Sequence, residues 1–138
     1  MVYPVRNKLI ASARLKVVKE DYEKRGYRVI VFNVEDEGID VIAENEKEVI
    51  GLEIVNWNRE GYLNLERFLS MCSNWMEHEK RLRESNDHRI YKRRLVYSYF
   101  SNIRDFYESL REFDVELEQY GFQHLPTAEE KMKIVCWC

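Results

Sequence analysis

Two acidic side chains sit inside the most strand-like stretch of the chain, DEGIDVIAENEKEVIGLEIVNWN, Asp36 to Asn58. Asp40 belongs to its first apolar run and Glu53 to its second, with the polar turn ENEKE between them. Paired carboxylates repel unless a cation joins them or one keeps its proton. Mg2+ or Mn2+ suits such a pair, because both ions prefer oxygen ligands. A bound divalent ion activates water and stabilises charge on a phosphodiester. Asp40 and Glu53 are therefore the candidate metal ligands and the candidate catalytic residues.

Strand side chains alternate between faces, so parity decides whether the two acids can meet. Asp40 and Ile42 share one face of the first strand; Gly51, Glu53, Val55 and Trp57 share one face of the second. A two-residue loop, Asn45-Glu46, sets Asp40 opposite Gly51 and diagonal to Glu53. A four-residue loop, Asn45 to Glu48, sets Asp40 directly opposite Glu53. Either register leaves the carboxylates within roughly 5–8 Å of each other, and a three-residue loop separates them. Gly51 leaves space beside the acids for an ion. The competing reading is compositional: with 25 acidic residues in 138, an Asp and a Glu fall on adjacent strands easily.

Charge is segregated along the chain although the net charge is only −3. Asn33 to Glu53 holds eight acids and one lysine, whereas His78 to Arg104 holds eight Lys and Arg against three acids. The net charge offers no global attraction to nucleic acid or to a membrane. The local basic region could contact DNA phosphates, with Arg89, Lys92, Arg93 and Arg94 as the candidate contacts. It reads equally as a solvated helix end and loop.

The elements that must position these groups follow from hydrophobic period. Residues 7–25 carry Ile10, Ala13, Val17, Val18 and Tyr22 at helical spacing, with Gly26 as the C-terminal cap. YRVIVFNV reads as a strand that is apolar on both faces and therefore central. The acidic stretch supplies a hairpin of two further strands. From Tyr62 to Glu84 the period is helical, with Leu65, Phe68, Leu69, Cys72, Trp75 and Met76 on one stripe. RRLVYSYFSN is a strand, and Ile103, Phe106, Leu110, Phe113 and Leu117 make an amphipathic helix that stops near Gly121. KMKIVCWC is a possible last strand. The predicted order is α-β-β-β-α-β-α, a mixed β-sheet flanked by helices in one α/β domain spanning residues 1–138.

Several chemistries are excluded or left without support. Hydrophobic residues at 45% and aromatics at 13% exclude a disordered chain. Cys72, Cys136 and Cys138 lack paired spacing and read as thiols of a reducing compartment. His78, His88 and His124 have no zinc-ligand spacing, and there is no phosphate-cradling glycine loop. No run approaches a transmembrane length and the charged N-terminus lacks an apolar secretory core, so no membrane and a cytoplasmic location are expected. Trp57, Tyr62, Trp75, Tyr91, Tyr97, Tyr99 and Phe100 read as core aromatics or as stacking platforms for bases. Strand alternation sets Tyr97 and Tyr99 on the face opposite Phe100.

With this element order, Asp40-x12-Glu53-x-Val55 resembles the PD-(D/E)xK nuclease superfamily, the restriction-endonuclease-like fold. RNKLIASARLKVVKEDYEKRGYRVI is similar to the opening of archaeal Holliday-junction resolvases, and GIDVIAENEKEVIGLEIV to their metal hairpin. The resemblance covers roughly residues 6–58. It implies that Asp40 and Glu53 occupy the metal-ligand positions, that the ancestral activity is Mg2+-dependent cleavage of DNA, and that the protein is a homodimer. Three positions depart from the pattern. Val55 stands where the family has its catalytic lysine, Ser12-Ala13 where it has an acid in the first helix, and Ile39 where it has proline. As a lysine substitute, Trp57 shares the right face and Asn56 does not; Lys47 lies in the turn. Asn58, Arg59 and Arg67 reach the acids only if the following loop folds over. The resemblance therefore implies a nucleic-acid-associated protein with weak or absent cleavage, or a protein-interaction module built on a nuclease-like fold.

Overall fold

A computed structural model describes residues 3–34, 38–55 and 61–121, with side chains described for 13–32, 40–55 and 61–121. The expected class is what it shows: a mixed five-stranded sheet flanked by helices. Helix α1 (Tyr3–Lys24) leads into β1 (Arg28–Val34), β2 (Gly38–Glu44) and β3 (Glu48–Val55). Helix α2 (Leu65–Glu84) crosses to β4 (Ile90–Tyr97); a 3₁₀ turn at Ile103–Phe106, α3 (Tyr107–Glu112) and β5 (Val115–Gln119) follow. Spatial order is β1-β2-β3-β4-β5, with β1–β3 antiparallel neighbours and β3–β5 parallel ones.

Each face of the sheet has its own core. Val18 and Tyr22 of α1 pack on Val41, Ala43, Ile50, Leu52, Ile54 and Val96. On the other face Phe68, Met71, Cys72 and Trp75 of α2 join Val55, Leu63, Leu95, Phe100, Phe106 and Leu110. The even residues of β3 serve α1 and the odd ones serve α2, as the period of two demands. Gly26 ends α1 as expected, with φ +93°, a left-handed conformation that glycine adopts without strain. Tyr27 N then donates to Tyr22 O at 3.0 Å.

Four readings of the sequence are corrected. Among the described residues β1 is an edge strand, not a central one, and Val31 and Phe32 are exposed. The α2 stripe runs through Met71 and leaves Leu65, Leu69 and Met76 exposed, because the i, i+3, i+4, i+7 set from Phe68 to Trp75 points most squarely at the sheet. The helical spacing through Leu117 breaks at Asp114, whose φ is +54°, and Val115–Gln119 becomes a strand. Its VELEQ alternation fits an edge position protected by Glu116 and Glu118. Finally, β4 ends at Tyr97, so alternation does not reach Phe100; Tyr97 and Phe100 meet edge to face in one core, with ring centroids 5.9 Å apart. The possible strand KMKIVCWC, with Cys136 and Cys138, lies outside the described residues, as do Trp57 and His124.

Gly51 also plays a different part. The space beside it is filled by Trp75, whose Nε1 donates to Gly51 O at 2.9 Å. A Cβ at Gly51 would stand 2.7 Å from Trp75 Cδ1 and overlap the Tyr91 hydroxyl. The glycine is thus a seat for an indole rather than room for an ion. Gly51→Ala is expected to lower stability by about 1–3 kcal/mol through overpacking, measured by urea unfolding. An unchanged midpoint would mean that Trp75 can shift without loss.

Candidate functional site

The hairpin register brings the two acids together. Asn45 N donates to Glu48 O at 3.0 Å, and the Asn45 side chain accepts from the Lys47 and Glu48 amides at 2.8 and 2.9 Å. This local hydrogen bonding favours the turn. Glu44 therefore pairs with Val49 and Asp40 lies directly opposite Glu53, the closer of the two same-face registers. Glu53 is also flanked by Leu95 on the parallel strand β4. Its position is central, and only 3% of it is exposed.

A carboxylate so buried needs a cation. Arg67 supplies it from α2, with its Nη2 2.8 Å from Glu53 Oε1. Asn64 caps the helix by accepting from Arg67 N at 2.8 Å, which fixes where that side chain leaves the helix. The sequence carried a signal for this pairing. An arginine in a helix's first turn opposes the macrodipole, so its placement there calls for a tertiary acid. On the α1 side of β3, Arg14 is 7% exposed and donates to Val55 O at 2.8 Å. Burial pulls its pKa down to about 10, which leaves it charged at neutral pH. Two guanidinium groups thus bracket the end of β3. Period places Arg14 on the inward stripe of Val18 and Tyr22, but not its contact with the end of β3.

Val55 is 1% exposed and belongs to the core under α2. Lys47 lies at the exposed hairpin turn. Of the residues weighed as substitutes for a lysine, Arg67 is the one brought to the acids; Asn56, Asn58 and Arg59 lie outside the described residues, as do the side chains of Ser12 and Ile39. Among the described residues no group of three or more His, Cys, Asp or Glu is arranged to hold a metal ion. With Glu53 already engaged by Arg67, the donors among the described residues do not fit a resident Mg2+ or Mn2+.

The four candidate phosphate contacts are placed on different faces and engaged within the fold. Arg89 meets Asp87 at 2.6 Å and Glu44 at 3.7 Å. Lys92 meets Glu48 at 2.9 Å. Arg93 points to the α2 side, donating to Phe113 O at 2.7 Å and meeting Glu79 at 3.2 Å. Arg94 points to the α1 side, meeting Glu116 at 3.0 Å and donating to the Tyr22 hydroxyl at 2.8 Å. Tyr22 in turn donates to Glu118. The acidic hairpin and the basic strand, separated along the chain, offset each other in space. Cys72 is a buried free thiol whose pKa burial raises to about 11.

Between α2 and the β1–β3 end of the sheet lies a cavity of about 220 Å3, walled by Phe32, Trp75, His78 and Tyr91 and reaching Asp40 and Glu53. Phe32 is the extra residue of a β-bulge between Val31 and Asn33. A bulge re-aims side chains, and the Phe32 ring lies against His78, centroids 5.8 Å apart. His78 Nδ1 is 3.1 Å from the Tyr91 hydroxyl.

No protein-family model matches the chain, and no curated protein does. Among solved structures it is similar to the crystal structure of an XisH family protein from Nostoc punctiforme. The TM-score is 0.43 and the identity 15%, over 88% of this chain and 99% of that one. A likeness at that level carries no argument about the site. Among the described residues no helix is long and apolar enough to cross a membrane.

Two measurements test the electrostatics. Arg67→Met should cost about 3 kcal/mol, since a buried carboxylate loses its guanidinium, and adding Glu53→Leu should recover most of it. An additive double variant would contradict the pairing. Burial, then Arg81, holds the His78 pKa below its usual value. The unfolded chain therefore takes up this proton first, and the His78 contribution fades as pH falls through the ordinary histidine value of about 6.5. His78→Phe should flatten that part of the stability profile. Asp87, held down to about 2 chiefly by its hydrogen bond from Arg89, acts only in more acid solution.

Proposed function

We propose that this chain is a nuclease-like domain of the PD-(D/E)xK superfamily that associates with nucleic acid and no longer cleaves it. The observation that carries this reading is the Arg67–Glu53 pair, 2.8 Å apart, in the hairpin where the superfamily holds its metal. A guanidinium neutralises the carboxylate, but it carries no water to activate and offers no open coordination position. Val55, closed into the core, cannot orient a nucleophile either. DNA association through Arg89 and Lys92, at the more exposed start of β4, and a homodimer come from charge segregation and from the family resemblance; Arg93 and Arg94 face opposite sides of the sheet.

A second reading is favoured by one observation: all four of those bases already have acidic partners in the fold. That suits a protein-interaction module, in which the surface bases stabilise the domain and the ligand is another chain.

Incubation with plasmid and branched DNA in Mn2+ is expected to give no cleavage above buffer, and nicking abolished by Asp40→Ala would overturn that expectation. DNA affinity should fall with salt, with a slope reduced by about one in Lys92→Ala, the change expected for one lost phosphate contact. Lys92 is the informative choice because its side chain is the most exposed of the four, at 36%. DNA binding that is absent at low salt transfers the domain to the second reading.

A further inference from the structure

The cavity beside Asp40 has a charge imbalance that the Arg67–Glu53 pair does not remove. Glu53 is matched by Arg67, and Glu77, at the cavity mouth, by Arg81 at 3.3 Å. Asp40 lines the same cavity, half-buried, with no hydrogen-bond or ion-pair partner among the described residues. A carboxylate withdrawn from water is stabilised by an opposite charge. The opening is rimmed by exposed Phe32, Asn74, Glu77 and Arg81, so a ligand can enter from solvent.

The walls restrict what that ligand can be. Phe32, Trp75 and Tyr91 line the cavity, and of its three carboxylates Glu53 and Glu77 are already paired with arginines, which leaves too few oxygen ligands for a metal ion. An excess of acid disfavours a nucleotide with its phosphate. Aromatic faces attract organic cations, and a planar guanidinium both stacks on rings and forks onto a carboxylate. Phe32 is 63% exposed, one edge of the cavity held out by the bulge and backed by His78. Burial lowers the His78 pKa and so disfavours an imidazolium that would oppose a cation.

We propose that the cavity between α2 and strands β1–β3 binds a guanidinium group, with Asp40 as its counter-ion and Phe32 as its stacking wall. The group comes either from an arginine side chain of a partner protein or from a small free guanidine. This inference rests on the Arg67–Glu53 pairing and on no contact with nucleic acid, so DNA binding can fail while the cavity site stands.

The test is titration of the full chain with arginine amide and with an acetylated Gly-Arg-Gly peptide, following the Trp75 indole N–H by NMR. Saturable shifts are expected with both, weakened about tenfold or more in Asp40→Asn, the loss of a charge-assisted hydrogen bond. Phe32→Ala, at an exposed position, should weaken both as well, while Glu46→Gln at the exposed hairpin tip should leave them unchanged. Equal affinities identify a small guanidine and tighter peptide binding identifies a partner chain; either outcome carries the proposal. Lack of saturation, wild-type affinity in Asp40→Asn, or an equal loss in Glu46→Gln would overturn it. So would full displacement of the peptide by millimolar Mg2+, which would make the cavity a metal site.

Discussion

A carboxylate in the middle strand of a helix-covered sheet must touch a cation or give up its charge. Glu53 is that carboxylate, and the position of α2 depends on answering it. Arg67, Met71 and Trp75 follow one another at i, i+4 and i+8 along one line of the helix. Arg67 is held at Glu53 and Trp75 at Gly51, two residues apart on the same face of β3. Two polar contacts thereby set the height and direction of α2 over β3, and the apolar residues between them fill the space. Past Trp75 the same helix brings His78 to Tyr91 and Phe32, so the cavity is a consequence of the same docking.

Parity made the hairpin legible in the sequence. A period of two admits only same-face or opposite-face answers for Asp40 and Glu53, and the turn chemistry of Asn45 selects between the remaining registers. What the sequence hid were choices that local pattern leaves degenerate. YRVIVFNV is apolar enough for a central strand, yet it forms an edge. Strand order depends on which partner β3 takes, and β3 pairs in parallel with β4 through the α2 crossover. Ile103 through Leu117 satisfies a helical period while Val115–Gln119 satisfies a strand period. Pairing with β4 decides for the strand, and Asp114 supplies the left-handed turn that allows it. Arg67 was legible only as one of several cations near the acids, because reach across a loop is a tertiary property.

Segregated charge along a chain suggests an external partner, and here the fold supplies much of the partner itself. The acids of the hairpin, Glu44 and Glu48, lie beside the bases Arg89 and Lys92 at the start of β4, since β3 and β4 run in parallel from that end. Glu79 and Glu116 do the same for Arg93 and Arg94 from opposite faces. Exposed pairs of this kind contribute little individually to stability. Their larger effect is on recognition, because a base already matched to an acid must exchange that partner for a phosphate.

The difference between an arginine and a divalent ion then explains what the site can still do. A metal brings two charges, bound waters and exchangeable positions; Arg67 brings one charge on a tether and none of the rest. Of the two carboxylates Arg67 reaches Glu53, and among the described residues no cation reaches Asp40. Asp40 is also the acid that opens onto the aromatic cavity. The two acids of the hairpin thus stand in separate environments, one under α2 and one at the cavity. Glu53 anchors a helix, and Asp40 holds the residual charge at a surface where a second cation can enter.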